Sequence, residues 1–108
     1  MLLGIFSTLL FAWCAQQQTI TKDLGGFAQC MTKAGATMYG LATCSHCQKQ
    51  KALFGTSFQY ITYVDCAKEP TRCSALKGVP TWEFKDGSQL EGEQALSTLA
   101  SKTSCVLP

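Results

Sequence analysis

Residues 36–47 read ATMYGLATCSHC and residues 78–84 read GVPTWEF, and these two stretches decide the fold. Residues 36–39 predict a short buried strand that ends at Gly40. A helix is predicted from Cys44 to Gly55, so the Cys44-Ser45-His46-Cys47 run lies where strand gives way to helix. A thiolate at a helix N-terminus is stabilised by unpaired N–H groups and by the positive end of the helix dipole. His46, when protonated, favours that thiolate further, and Cys47 lies one turn along, within disulfide reach of Cys44. Cys44 is therefore the candidate nucleophile and Cys47 the resolving thiol in an exchange reaction. A lone Cys-x-x-Cys also fits metal binding, and it is the position between strand and helix that favours redox chemistry. In the second stretch, Val79-Pro80-Thr81 opens a later strand, a place where a proline costs no ladder hydrogen bond.

Outward from these stretches, residues 58–64 (FQYITYV) are aromatic and β-branched, which predicts a strand buried on both faces. Pro70 opens a short helix ending at Gly78. Asp86-Gly87, between residues 81–85 and 88–90, is a two-residue hairpin signal. Upstream, Asp23 is a candidate N-cap, with Leu24, Phe27, Ala28 and Met31 on one helical stripe that closes near Gly35. Residues 93–102 predict a last helix carrying Leu96, Leu99 and Ala100. The order helix, strand, helix, strand, helix, hairpin, helix implies an α/β fold, a mixed sheet with helices on both faces.

Composition bounds the function. The chain has 108 residues, 46% hydrophobic and 15% charged, which supports one small domain and excludes disorder as its main state. Nine Lys and Arg against seven Asp and Glu leave no basic field for nucleic acid. Seven cysteines in so short a chain point to an oxidising compartment or a metal site. Residues 2–13 (LLGIFSTLLFAW) carry no charge and fall short of the about 20 residues of a membrane span, matching the apolar core of an export signal. The expected organisation is an export signal or N-terminal membrane anchor over residues 1–15, a linker over 16–23 and one domain over 24–108. The expected location is an exported compartment of the periplasm or thylakoid-lumen type.

A Cys-x-x-Cys helix followed by a strand-opening proline and a hairpin resembles the thioredoxin superfamily, whose cis-proline faces the active-site disulfide. Residues 27–30 (FAQC), 38–40 (MYG), the Cys-x-His-Cys run with Gln48, residues 80–82 (PTW) and Gly92-Glu93 further resemble the thioredoxin-like domain of bacterial vitamin K epoxide reductase (VKOR) homologues. That resemblance implies a thioredoxin-like fold and a disulfide carrier that takes oxidising equivalents from a quinone-linked membrane protein and passes them to folding proteins. It requires no cofactor beyond the protein's own disulfide. It also implies that Pro80 shapes a groove in which the Val79 backbone pairs with an extended substrate segment. The chain departs from the family in Ala42-Thr43 before the first cysteine and Ser45 after it. Where thioredoxin proper has a buried acid, it has Met38.

The family's second cysteine pair matches Cys66 and Cys73, whose closure contributes about 2.5 kcal/mol in the chain-entropy model. The pair is expected to be a structural disulfide, with a shuttle role or a zinc site shared with Cys44 and Cys47 as alternatives. Cys14 belongs to the export segment. The usual reading of Cys30 is a buried inert thiol; a Cys30–Cys105 bridge is the lesser alternative, because the first and last helices of the thioredoxin arrangement tend to lie on opposite faces, and the sequence leaves the pairing of Cys14, Cys30 and Cys105 open. Two other functions compete with the carrier: a reductase of exported thiols, and a metal- or thiol-binding module without turnover.

Overall fold

The computed structural model describes residues 23–108. The expected export segment with Cys14, and the linker except Asp23, lie outside the described residues. Asp23 Oδ1 accepts a hydrogen bond from the Gly25 amide at 2.8 Å, at the start of helix α1 (Gly25–Lys33). Its stripe of Phe27, Ala28 and Met31 is buried, as the spacing predicts. Strand β1 (Thr37–Gly40) leads to helix α2 (Ser45–Phe54), a 3₁₀ segment (Gly55–Tyr60) and strand β2 (Thr62–Asp65). Helix α3 (Pro70–Cys73), strands β3 (Thr81–Glu83) and β4 (Gln89–Glu91) and helix α4 (Leu96–Thr103) complete the chain.

The four strands lie in the order β2-β1-β3-β4, with β1 parallel to β2 and the other pairs antiparallel. Met38 stands between Tyr63 and Trp82 in register, so these three side chains share one face of the sheet. On that face Met38 and Trp82 join Phe27 and Met31 of α1, Phe54 of α2 and Leu99 of α4 in a single core cluster. Tyr39 points the other way, where the Arg72 guanidinium of α3 lies 5.9 Å from its ring. Helices therefore cover both faces of a mixed sheet, and the fold is thioredoxin-like.

Three local expectations are corrected. Residues 58–60 are not strand: the chain continues from α2 as 3₁₀ turns, and Phe58 packs edge-on against Phe54 and Tyr63, at 5.9 and 5.6 Å between centroids. The strand that follows is at the sheet edge, so Thr62 is exposed and burial on both faces does not occur. The β3–β4 turn has three residues rather than two, because Phe84 and Ser88 still pair across it (amide to carbonyl, 2.9 Å) and Gly87 takes φ 86°. Helix α3 is a single turn that stops at Cys73, well short of Gly78.

The largest correction concerns Cys30. It is not an inert thiol but is bonded to Cys105, 75 residues away. The expectation failed because α1 and α4 do not lie on opposite faces. Both pack on the Met38–Trp82 face and touch each other. Ser104 adopts a left-handed conformation (φ 62°) at the end of α4, and the chain turns back so that Cys105 is buried in the core cluster. Cys66 and Cys73 form the second disulfide, tying the end of β2 to α3.

Candidate active site

Strand β1 ends under the start of α2, and the intervening loop is pinned at both ends. Gln48 Nε2 donates to the Ala42 carbonyl at 2.7 Å, and the Cys44 amide donates to the Leu41 carbonyl at 3.2 Å. Cys44 is then the N-cap of α2, in extended conformation, and its Sγ accepts a hydrogen bond from the Cys47 amide at 3.2 Å. A sulfur in this role satisfies one of the orphan amides of the helix start, and those amides favour it most as an anion. Cys44 is half-buried and Cys47 fully buried, and both are free thiols.

Opposite Cys44, the Val79–Pro80 peptide bond is cis. The Cys44 thiol donates to the Val79 carbonyl at 3.6 Å, which places the two sequence-predicted halves of the site face to face. The bend is braced by Thr81 Oγ1 donating to the Gly78 carbonyl at 2.7 Å and by the Gly92 amide donating to the Pro80 carbonyl at 2.8 Å. Pro80 is buried and Val79 only partly so, leaving the Val79 backbone beside Cys44.

The two thiols are chemically unequal. Burial first, and then the hydrogen bond with Cys44, push the Cys47 thiol up to about 11, against the opposing pull of a hydrogen bond from the Leu41 backbone and of the Lys51 charge. At neutral pH Cys47 is therefore a thiol, while the sulfur that a partner can reach is Cys44. Attack through Cys44 and closure by Cys47 is the order this arrangement permits.

His46 is exposed on the first turn of α2, with Nδ1 3.3 Å from Glu93 Oε1. The two border an open depression of about 600 Å³ whose other walls are Leu53, Gly92, Gln94 and Ala95. Sequence reasoning used Glu93 only as part of the Gly92-Glu93 resemblance and did not place it beside His46, and it missed Gln50, the residue that holds the Glu93 segment in place. Gln50 is fully buried; its Oε1 accepts from Trp82 Nε1 at 3.0 Å and from the Gln94 amide at 2.7 Å, and its Nε2 donates to the Gln94 carbonyl at 3.0 Å. The signal was present, since Gln50 falls on the buried stripe of α2 with Cys47 and Phe54. A glutamine at an apolar-stripe position marks a buried polar network. Cys66 and Cys73 are bonded to each other rather than gathered with Cys44 and Cys47. Among the described residues no group of three or more His, Cys, Asp or Glu is arranged to hold a metal ion.

A thioredoxin-like sheet with a Cys-x-x-Cys helix start facing a cis-proline defines a thiol-exchange type of domain. No family model matches the chain. The thiol-disulfide oxidoreductase LTO1 of Arabidopsis thaliana is a relative, 37% identical over an 87-residue alignment that takes in 70% of this chain and 23% of that protein. The chain thus spans about a quarter of the length of this relative.

Proposed function

We propose that this chain is an exported protein thiol–disulfide oxidoreductase that carries disulfides from a VKOR-like, quinone-linked membrane partner to folding proteins. One observation carries the thiol-exchange reading: the accessible Cys44 sulfur caps α2, receives the Cys47 amide and faces the carbonyl before the cis-proline. The relative's name supports the same chemistry. Two further disulfides in the described residues agree with an oxidising compartment. The membrane partner rests on the motif resemblance set out above.

In the oxidising direction, a substrate thiolate attacks Cys44 Sγ of the Cys44–Cys47 disulfide, and Cys47 leaves as a thiolate and takes up a proton. A second substrate thiolate then attacks the substrate sulfur of the mixed disulfide. The substrate disulfide forms, and Cys44 leaves as a thiolate on the helix start. The domain is now a dithiol, two electrons richer, and the quinone-linked partner reoxidises it. The Val79 backbone pairs with the extended substrate segment during both attacks.

Trapping tests this assignment. Cys47→Ser accumulates mixed disulfides with client proteins that map to Cys44 by mass spectrometry, whereas Cys44→Ser loses both the adducts and disulfide turnover. Adducts mapping to Cys47 in the Cys44→Ser protein overturn it. Equilibration with glutathione then decides direction: a carrier has a potential between about −120 and −220 mV, and a value at or below about −270 mV promotes the reductase.

A further inference from the structure

In every exchange cycle Cys47 has to carry negative charge, whether it attacks Cys44 or leaves from it, and it does so with no solvent exposure. An anionic sulfur in an apolar setting is costly unless a donor or a cation meets it. The space beside it is unusual. A Cβ at Gly40 would stand 3.2 Å from Cys47 Sγ, 3.1 Å from Tyr63 Cε1 and 3.2 Å from Tyr63 Oη. Without a side chain at Gly40, the thiol and the phenol border the same small volume. Tyr63 Oη is also a buried polar atom that lacks a hydrogen-bond partner among the described residues. Leaving a buried hydroxyl unpaired costs about 1–3 kcal/mol, so its place next to the sulfur calls for an explanation. Lys51 supplies the cation: its Nζ lies 4.0 Å from the Tyr63 ring centroid and 5.7 Å from that of Phe58.

We infer that Tyr63 and Lys51 form a receiving site for the Cys47 thiolate, in which the Tyr63 hydroxyl donates a hydrogen bond to the anionic sulfur and the Lys51 ammonium above the ring supplies the compensating charge. The inference rests on the thiol-exchange reading and extends it to the resolving cysteine. In the dithiol Tyr63 Oη makes no hydrogen bond to Cys47 Sγ; it borders the sulfur across Gly40 and becomes its donor when the thiolate forms, while Lys51 acts through its field and the ring and is a positioning residue. When Cys47 resolves a mixed disulfide, its proton goes to solvent and its thiolate attacks Cys44 Sγ. The Cys44–Cys47 bond forms, and the partner sulfur leaves as a thiolate. In the reverse step Cys47 is the leaving group, and the same donor and cation stabilise it. The other ionisable groups nearby do not take this role. Cys44 raises the Cys47 thiol rather than lowering it. Asp65, opposite Gly40 on β2, accepts from the Ala67 amide, and Tyr39 on the far face of β1 donates to Glu83.

The reduced full chain treated with dithiobis(nitrobenzoate) separates the steps. Cys44 attack releases one thionitrobenzoate and leaves a Cys44 adduct, and Cys47 attack on that adduct releases the second and closes the disulfide. Mass spectrometry follows the adduct on the Cys44 peptide. Because burial holds the Cys47 thiol above the ordinary cysteine range, its thiolate fraction, and with it adduct decay, rises with pH between pH 7 and 9. Tyr63→Phe leaves adduct formation unchanged and slows its decay about tenfold, the loss of one hydrogen bond to a charged group. Lys51→Met slows decay about threefold and Lys51→Arg restores it. Decay in Tyr63→Phe at the wild-type rate, or formation and decay slowed alike, overturns the inference. An independent readout is the Cβ carbon resonance of Cys47 by NMR. Its titration begins at higher pH in Tyr63→Phe, and an unmoved titration overturns the inference whether or not Cys44 proves to be the nucleophile. A wild-type chain that forms no Cys44 adduct overturns the proposed function instead.

Discussion

At the head of α2, Cys44 and Cys47 share one turn of helix, one reachable and one buried, and both are free. Between α1 and the end of the chain, Cys30 and Cys105 are bonded across a sequence separation of 75. The first pair closes almost no loop, so its bond restrains the unfolded chain little, and the helix start favours the anion that bond cleavage releases. The second pair restrains nearly the whole domain, about 4.5 kcal/mol in the chain-entropy model, and Cys105 lies within the core cluster. The same side chain is suited to exchange in one place and to stability in the other. What differs is loop length, access and the nearest dipole. The Cys66–Cys73 bond, with a separation of 7, falls between the two in its loop.

The largest effect separates these settings by stability. Cys30→Ala with Cys105→Ala lowers stability by about 4 kcal/mol, and Cys66→Ala with Cys73→Ala by about 2.5 kcal/mol. Thermal unfolding reads both as losses of about 4–8 °C per kcal/mol. Insulin disulfide turnover below the unfolding temperature stays near wild type in each case. A smaller loss for the long loop than for the short one breaks the loop-length account, and lost turnover in a folded Cys66/Cys73 variant assigns that pair a shuttle role.

A smaller effect sharpens the comparison at the exchange site. Gln50→Leu leaves Trp82 Nε1 and the Gln94 amide without their acceptor, costing about 2–3 kcal/mol by urea unfolding. Trp82 lies in the core while Gln94 adjoins Glu93, so this residue joins the stable body to the reactive end. Gln50→Leu combined with Trp82→Phe loses less than the sum of the two single losses, and additive losses reject the network.

The smallest effect concerns the potential. A positive His46 favours the Cys44 thiolate, which exists only in the reduced protein, and the Glu93 carboxylate 3.3 Å away offsets that charge. Removing the carboxylate stabilises the reduced form, so Glu93→Gln raises the potential by about 10–20 mV, and His46→Ala lowers it by a similar amount. Glutathione equilibration resolves both, and a lowered potential in Glu93→Gln together with a raised one in His46→Ala removes His46 from the role of tuning residue.

Much of this was legible in the sequence because it is local. Cysteine spacing, the strand-to-helix step before Cys44 and a proline opening β3 are properties of neighbouring residues, and they point to the fold and to both sides of the site. Helical periodicity likewise placed Phe27, Ala28 and Met31 on a buried stripe. Local propensity misread residues 58–60, where aromatic character serves packing against Phe54 and Tyr63 rather than strand pairing. Only the tertiary structure decided the rest. That Cys30 meets Cys105 depends on which sheet face α1 and α4 share. That Gln50 reaches Trp82 and Gln94, and that Tyr63 borders Cys47 across Gly40, depends on strand register. Contacts between residues far apart in the chain are set by the packing of whole elements, which no window of sequence contains.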